Sequence, residues 1–220
     1  MTKRILVVAA HPDDEALGMG GTWFKYKQQG CEMGVVWLTD GIGSRGPDNG
    51  QIDIRRQGVK ESLDVLKPSY SRHGSFPDNQ LDVAPRLNII QFIEEAINEF
   101  MPDTLFIHSE KDLNIDHKIA HIAAITAARP LSGCSVKDIY AFEVLSSTEW
   151  GGQMFRPNMY VDITTVKREK LELLNCYDSE LREPPHPRSL PSVESKEVVR
   201  GSESGFFYSE AFEVIRTLIS

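Results

Sequence analysis

Apolar and polar positions along the first two thirds of the chain predict a regular succession of strands and helices. Short, wholly apolar runs are typical of buried strands, and a less apolar run at residues 69–76 adds one further candidate strand. The predicted strands lie at residues 4–10, 33–39, 69–76, 103–109 and 139–145. Between them, apolar residues recur every three or four positions, which predicts amphipathic helices. The predicted helices lie at residues 15–30, 52–67, 83–100 and 116–130.

Strands that alternate with helices indicate a parallel sheet with helices on both faces. The predicted fold class is therefore α/β, a Rossmann-like three-layer sandwich with a mostly parallel sheet. Right-handed crossover connections favour the strand order 3-2-1-4-5. We expect a single domain over residues 1–220, with a core at 1–145 and a C-terminal extension at 146–220.

The pattern changes in the C-terminal extension. Residues 158–163 predict a short strand and residues 164–178 predict a helix. Residues 179–205 are rich in proline, serine and charge, which predicts a long loop. The last segment, 209–219, predicts a closing helix capped by Ser209.

Composition and charge narrow the class of protein. The chain has 24 basic and 32 acidic residues, a formal net charge of −8, so we expect no nucleic-acid partner. The longest apolar run is too short to span a membrane, and residues 5–10 are too short and too closely followed by carboxylates for a signal peptide. Three separated cysteines without a CxxC pair indicate free thiols in a reducing compartment, so a cytoplasmic location is expected.

The first predicted strand ends in a dense polar group. The sequence VVAAHPDDE places His11, Asp13 and Asp14 directly after the apolar run. In open α/β sheets, ligands bind beyond the carboxyl ends of the strands where the strand order reverses, here between strands one and four. Strand four leads into DLNIDH, so His117 is expected to lie near His11 although the two are far apart in sequence.

This combination of residue types fits a metal centre. Zinc takes imidazole nitrogen and carboxylate oxygen, and a catalytic zinc typically has three protein ligands and an open position for water. His11, Asp14 and His117 would supply those ligands, and Asp13 would take a proton from the attacking water. The alternative is that Asp13 or Asp14 only caps the following helix. A dinucleotide site is disfavoured because the first turn lacks GxGxxG.

The AHPDDE stretch, with a later DH that opens a helix, resembles the LmbE/PIG-L superfamily of zinc-dependent N-deacetylases. Its members typically act on molecules that contain N-acetylglucosamine. The resemblance covers roughly residues 4–145 and implies a Rossmann-like fold, Zn²⁺ on His11, Asp14 and His117, and Asp13 as general base. It implies a metal-dependent amidohydrolase that removes an N-acetyl group from an acylamino sugar. The family often forms trimers or hexamers, but no pattern here decides whether this chain is a homo-oligomer.

Two stretches depart from the family pattern. Many members have His-Pro-Asp-His where this chain has Asn114-Ile115-Asp116-His117, and Asn114 can donate a hydrogen bond but cannot supply a proton. His186 is the candidate acid, and the alternative is a solvated loop histidine. Members often show Arg-x-x-Glu at Arg55, where Gly58 takes the place of the glutamate.

Other residues are candidates for contact with the substrate. Arg55, Asp78, Asp116 and Arg188 are predicted to line the site, with Asp116 orienting His117 or another group; the arginines could equally be surface residues. Asp112 is expected to be a pocket wall or a helix cap, and His121 to lie behind the ligands or in the core. Trp150 could stack on a sugar ring, although packing is the commoner use of an aromatic residue.

Three further stretches bear on the identity of the substrate. The DLNIDH, EVLSSTEW and PHPRS stretches resemble members linked with surface-polysaccharide synthesis, which implies a nucleotide-linked or phosphorylated acylamino sugar. One alternative is deacetylation of a glucosamine conjugate in thiol-cofactor biosynthesis. Another, from a different class, is a sugar- or nucleotide-binding module without catalytic activity.

Overall fold

The structure, a computed structural model, describes residues 2–41 and 50–219. Its strands and helices alternate as far as residue 142 and are rearranged after it. In chain order they are β1 (Arg4–Ala9), α1 (Asp14–Gln28), β2 (Glu32–Thr39), α2 (Gln51–Leu66), β3 (Tyr70–Phe76), α3 (Arg86–Phe100), β4 (Thr104–His108), α4 (Ile115–Ala127), β5 (Asp138–Phe142), β6 (Met159–Asp162), α5 (Lys167–Asn175), α6 (Leu190–Ser204) and β7 (Ser209–Arg216).

In the part of the chain that the structure describes, the sheet has seven strands in the order β3-β2-β1-β4-β5-β7-β6. The first five strands are parallel, which confirms the α/β class and the predicted order of the core. In the centre, Val8 of β1 pairs with Val36 of β2 and with Ile107 of β4. The carboxyl ends of β1 and β4 therefore lie side by side, where the strand order reverses.

Two apolar layers flank the sheet because successive side chains of β1 point to opposite faces. Leu6 and Val8 pack with the cluster that includes α3 and α4. Ile5 and Val7 pack on the other face, against residues of α1 and α5. Within the described ranges, none of the helices combines the length and apolar character that crossing a membrane requires.

The predicted closing helix at 209–219 is wrong, because residues 209–216 form strand β7. This strand inserts antiparallel between β5 and β6, so that Phe212 is opposite Phe142 and Met159. The Glu210 carboxylate also accepts the Gly21 and Thr22 N–H groups, at 2.9 and 2.6 Å. Pairing with two strands and burial of Phe212 outweigh the local helix preference of SEAFEVIR.

The long loop predicted at 179–205 is also wrong over most of its length, because α6 occupies residues 190–204. The Ser189 side chain accepts the Ser192 N–H, Pro191 lies in the first turn, and Gly205 ends the helix with a φ of 79°. These are ordinary signals for the start and end of a helix. The abundance of proline, serine and charged residues around them hides these signals in the sequence.

Candidate active site

The chain turns sharply between β1 and α1, and this turn sets the directions of two neighbouring carboxylates. Asp13 has a φ of 112°, a left-handed conformation that residues other than glycine rarely adopt. Its carbonyl accepts the N–H groups of Ala16 and Leu17 at 3.1 and 3.0 Å, but its side chain makes no capping hydrogen bond to α1. The helix-cap interpretation of Asp13 therefore finds no support in the geometry.

Three buried side chains converge at the ends of β1 and β4. His11 Nδ1 lies 3.3 Å from Asp14 Oδ2 and 3.3 Å from His117 Nε2, and His117 Nε2 lies 3.4 Å from Asp14 Oδ1. Two ligands at about 2.05 Å from a tetrahedral zinc are separated by about 3.3 Å. The two imidazole nitrogens have the spacing of ligands on one such ion, and each lies near a different oxygen of Asp14. One donor atom from each of the three residues lies within 4.8 Å of the others, so together they could hold one metal ion.

The hydrogen bonding of Asp14 supports the same interpretation. Its Oδ2 accepts the backbone N–H of His11 at 2.8 Å. Its Oδ1 is buried and has no hydrogen-bond partner anywhere in the described part of the chain. A buried carboxylate oxygen without a hydrogen bond is costly, so this oxygen fits a site built for a cation.

The charge around the two imidazoles also favours a cation. Burial alone would lower the pKa of His117, but Asp14 and Asp112 outweigh it and raise the pKa to about 9. Burial acts in the same direction on His11, where the carboxylates of Asp116, Asp14 and Asp78 raise the pKa well above its ordinary value. The carboxylates carry negative charge that neutral imidazole rings cannot balance, so a bound cation would be favourable here.

Asp112 supports His117 from behind. His117 Nδ1 lies 3.0 Å from Asp112 Oδ2, which also accepts the Thr148 hydroxyl at 2.6 Å. The Ser147 hydroxyl donates to the other oxygen, Oδ1. Burial would raise the pKa of Asp112, but the hydrogen bonds from His117, Ser147 and Thr148 lower it to about 2. Asp112 is therefore neither a bare pocket wall nor only a cap, because it fixes the ring of His117.

Asp78 and Asp116 lie behind the other imidazole. His11 Nε2 is 3.1 Å from Asp116 Oδ2 and 3.2 Å from Asp78 Oδ1. The Asp116 carboxylate also accepts the backbone N–H groups of Asn79 and Leu81, at 2.7 and 2.9 Å. Asp116 thus contacts His11 and not His117. Its placement favours orientation of His11 over the predicted direct contact with substrate.

Asp13 lies between two arginines. Arg188 Nη1 is 3.0 Å from Asp13 Oδ2, and Arg55 Nη1 is 3.5 Å from the same oxygen. Arg55 also pairs with Glu180 at 3.1 Å. Burial raises the pKa of Asp13 despite the opposing charges of Arg55 and Arg188. Arg55 is buried and Arg188 half-buried, so neither is the solvated surface residue of the alternative interpretation.

The glycine at position 58 has a steric cause. A Cβ on Gly58 would lie 2.6 Å from the carbonyl oxygen of Cys176, so a larger residue does not fit against that backbone. The carboxylate beside Arg55 comes instead from Glu180, in the C-terminal extension.

Asn114 is the residue before α4 and acts as its cap. Its Oδ1 accepts the Asp116 N–H at 2.8 Å, and its Nδ2 donates to Asn79 Oδ1 at 3.3 Å. The amide is therefore partly occupied within the protein, at the edge of the site.

His186 lies at the rim rather than among the ligands. Its Nδ1 accepts the Arg188 N–H at 3.1 Å, and its ring stands edge-on to Trp150 with 6.3 Å between centroids. Its side chain has no hydrogen bond or ion pair to His11, Asp14 or His117 in the residues that the structure describes.

Sequence reasoning missed two buried supports of the site. The His108 ring stacks on His117 with 3.9 Å between centroids, and its Nε2 accepts the Ala10 N–H at 2.9 Å. Burial, followed by the charge of His117, lowers the pKa of His108 to about 4. The available signal was its position as the last residue of β4, beside the end of β1.

The second support is Glu15, whose role the sequence left unassigned. Glu15 Oε2 accepts the Asp13 N–H at 3.2 Å and the Trp37 indole N–H at 2.8 Å, and Oε1 accepts the Tyr177 hydroxyl at 2.7 Å. Burial raises the pKa of Glu15 to about 7. This network holds the backbone of Asp13 in its strained conformation.

Comparison with known proteins agrees with this geometry. Residues 6–128 match a family model described as PIG-L: GlcNAc-PI de-N-acetylase. The chain belongs to the PIG-L family. The resemblance inferred from AHPDDE is thereby confirmed. A diacetylchitobiose deacetylase from Thermococcus kodakarensis is 27% identical to this PIG-L protein over 227 residues, which cover 97% of the chain and 83% of the relative.

Solved structures share the whole fold of this PIG-L protein. The conserved protein TT1542 from Thermus thermophilus superposes with a TM-score of 0.78 at 25% identity, and the match covers 100% of this chain and 97% of that one. The 4-carboxy-2-hydroxymuconate hydratase GalB from Pseudomonas putida gives a TM-score of 0.78 at 21% identity, covering 100% and 98%. Because the same fold also carries a hydratase, the reaction must be argued from the residues of the site.

Proposed function

We propose that this PIG-L protein is a zinc-dependent hydrolase that removes an N-acetyl group from an amino sugar of the N-acetylglucosamine type. The observation that carries the proposal is the convergence of His11, Asp14 and His117, whose side chains are buried and whose donor atoms lie within 4.8 Å of one another. An additional carboxylate, Asp13, directly precedes Asp14. The deacetylase activity named for the Thermococcus relative supports the choice of reaction over the hydration carried out by GalB.

His11, Asp14 and His117 would hold the metal ion. Zn²⁺ bound there supplies Lewis acidity, which lowers the pKa of water to about 7 and polarises an amide carbonyl. Asp13 is not needed as a ligand, and its carboxylate takes the proton from the attacking water. Arg188 and Arg55 fix the direction of that carboxylate through Oδ2, at 3.0 and 3.5 Å, and leave Oδ1 for the proton.

The leaving amine needs a proton once the carbon–nitrogen bond breaks. Asp13 carries one after the first step, so it can return that proton to the amine. His186 is the other candidate acid, and it would have to move because its ring now rests against Trp150. Asn114 Nδ2 is the proposed side-chain donor to the oxyanion, and it would have to exchange its bond to Asn79 for that contact.

The charges around Asp13 bear on the class of substrate. Both arginines predicted to contact the substrate are already paired with Asp13 and with Glu180. This pairing favours an uncharged acetamido group and sugar ring beside Asp13, with any phosphate farther away. A role in surface-polysaccharide synthesis, a cytoplasmic location and a homo-oligomeric state remain predictions.

Metal analysis beside an acetate-release assay tests the proposal. The assay panel contains N-acetylglucosamine, diacetylchitobiose, UDP-N-acetylglucosamine and the N-acetylglucosamine conjugates of malate and inositol. We expect about one zinc per chain and acetate from at least one sugar. Zinc without acetate from any member would favour the binding-module alternative, and absence of divalent metal after zinc is supplied would refute the site.

Two variants separate the roles within the site. Asp13→Asn should retain zinc and lose at least about 10²-fold in kcat, because it removes the proton acceptor and leaves His11, Asp14 and His117 in place. His117→Ala should lose zinc, because two protein ligands remain. Wild-type turnover in Asp13→Asn would exclude Asp13 as the base, and full zinc content in His117→Ala would exclude the ligand assignment.

A further inference from the structure

Trp150 is a large aromatic side chain held at the surface beside the site. It is 52% exposed, whereas Trp23 and Trp37, the other two tryptophans, are each 1% exposed. Leaving an indole in water forgoes the favourable burial that a side chain of this size normally gains. Trp150 is therefore not a packing residue in the free protein, which removes the ordinary explanation for an aromatic residue at this position.

The backbone beneath Trp150 is held firmly. A short 3-10 turn spans Thr148–Trp150, and the Glu149 carboxylate accepts the Ser146 and Ser147 N–H groups at 2.7 and 3.1 Å. The next residue, Gly151, lies against the carbonyl oxygen of Lys111, where an added Cβ would be only 1.8 Å away. The backbone that carries the indole is thus held in place before any ligand arrives, which lowers the entropy cost of binding to it.

The same turn belongs to the site. The hydroxyls of Ser147 and Thr148 bind Asp112, which orients the candidate metal ligand His117. On its other side, the indole meets the edge of His186, at an interplanar angle of 89°.

The loop that carries His186 also reaches the site. Two residues after His186, Arg188 donates to the candidate base Asp13. Trp150 therefore stands where the segments that support His117 and Asp13 meet.

We propose that Trp150 is a specificity-determining residue on which a pyranose ring of the substrate stacks, with His186 as the adjoining wall. The inference rests on the proposed deacetylase function. The C–H groups on one face of a pyranose carry slight positive charge, and the face of an indole carries the negative part of its quadrupole. This contact requires no charge on the ligand, in keeping with an uncharged sugar ring beside Asp13.

Fluorescence tests the contact without turnover. In zinc-loaded Asp13→Asn protein, iodide should quench only Trp150, because Trp23 and Trp37 are buried. Saturating diacetylchitobiose or N-acetylglucosamine should remove most of that quenching, and Trp150→Phe should abolish the quenchable fraction. If calorimetry detects sugar binding while iodide quenching is unchanged, or if no sugar binds, the stacking proposal is overturned.

Kinetics give an independent readout. Trp150→Ala should raise KM for the hydrolysed sugar about tenfold while kcat stays within about twofold of the wild-type value. The KM of Trp150→Phe should lie between the values of the wild type and Trp150→Ala. Phe207→Ala is the matched control, since Phe207 is an 82% exposed aromatic in the turn before β7, and it should leave both constants unchanged. An unchanged KM in Trp150→Ala refutes the proposal.

Failure of the proposed function would look different. If the wild type releases acetate from no sugar, the deacetylase assignment fails, while protection of Trp150 by a sugar would still support the stacking surface. If acetate is released but no sugar protects Trp150, only the stacking proposal fails.

Discussion

Replacing Asp112 by Asn tests how the site holds His117. Asp112 is fully buried, and its carboxylate accepts hydrogen bonds from the backbone of Asn114 at 2.9 Å, from Thr148 at 2.6 Å and from Ser147. His117 Nδ1 is the remaining partner, at 3.0 Å. The Asp112→Asn variant keeps the volume of the side chain, removes its charge and replaces one acceptor oxygen by a nitrogen that can only donate.

The expected effect of Asp112→Asn depends on how strongly the folded protein favours the charged form of the Asp112 carboxylate. The pKa of Asp112 is about 2 against an ordinary value of 3.8, because its hydrogen bonds outweigh the cost of burial. At 1.36 kcal/mol for a tenfold change, that difference corresponds to about 2 kcal/mol. Loss of the partner behind a metal-ligating histidine typically costs about 10- to 100-fold in metal affinity. We expect the zinc dissociation constant of Asp112→Asn to rise by about that factor.

Competition with a chromogenic chelator measures the zinc affinity, and urea unfolding of the metal-free protein measures the change in stability. Asp138→Asn is the control, because Asp138 begins β5 at the opposite end of the sheet and pairs with Lys3 at 3.4 Å. The control should bind zinc like the wild type. A zinc affinity of Asp112→Asn within about twofold of the wild-type value would refute the role given to Asp112.

Two further predictions concern the buried ion cluster between α5, α6 and β7. Glu210→Ala should lower the free energy of unfolding by about 3–5 kcal/mol in urea titrations, because Lys170 loses a buried partner at 2.6 Å and two N–H groups of α1 lose their acceptor. Glu203→Ala removes an exposed partner of Arg200, which keeps its two hydrogen bonds to Glu143, so it should cost less than about 1 kcal/mol. An equal loss would contradict the role given to Glu210. Burial raises the pKa of Glu197, but Lys170 and Lys167 outweigh burial and lower the pKa below its ordinary value of 4.5. The ionised carboxylate therefore stabilises the folded protein above pH 4.5, and this stabilisation is lost as the pH falls through the pKa of Glu197 in the folded state. Glu197→Gln should therefore be less stable than the wild type at neutral pH and lose less stability between about pH 5 and about pH 3. Parallel pH profiles of unfolding for the two proteins would contradict the assignment.

The core of the fold was predictable because its central strands β1, β2 and β4 are apolar on both faces and therefore stand out from the amphipathic helices. The convergence of His11 and His117 followed from the order of the strands, since parallel neighbours end at one edge of the sheet. No knowledge of side-chain directions is needed for that step. A motif at residue 11 could therefore be joined to one at residue 117 from the sequence alone.

The supports behind the ligands were harder to predict because they depend on which way each side chain points. Asp112 and Asp116 lie on either side of Asn114, and both are plausible partners for His117 from sequence alone. Asp116 lies inside α4, directly before His117, so the two side chains diverge around the helix and Asp116 reaches His11 instead. Asp112 lies before the helix, where the chain folds back towards Nδ1 of His117.

In the C-terminal extension, the strand predicted at 158–163 and the helix predicted at 164–178 are confirmed by β6 and α5. The predictions for 179–205 and 209–219 are wrong, because local pattern does not determine the partners of those elements. SEAFEVIR is compatible with a helix or a strand, and the gap between β5 and β6 selects the strand. The extension is also part of the site. The matched family region, residues 6–128, contains the three candidate ligands and Asp13, whereas Glu180 and Arg188 beside Asp13 and the exposed Trp150 lie outside it. The chemistry proposed for the metal therefore resides in the shared region, and the choice of substrate is expected to depend on residues 146–220, where Trp150 and Arg188 reach the site.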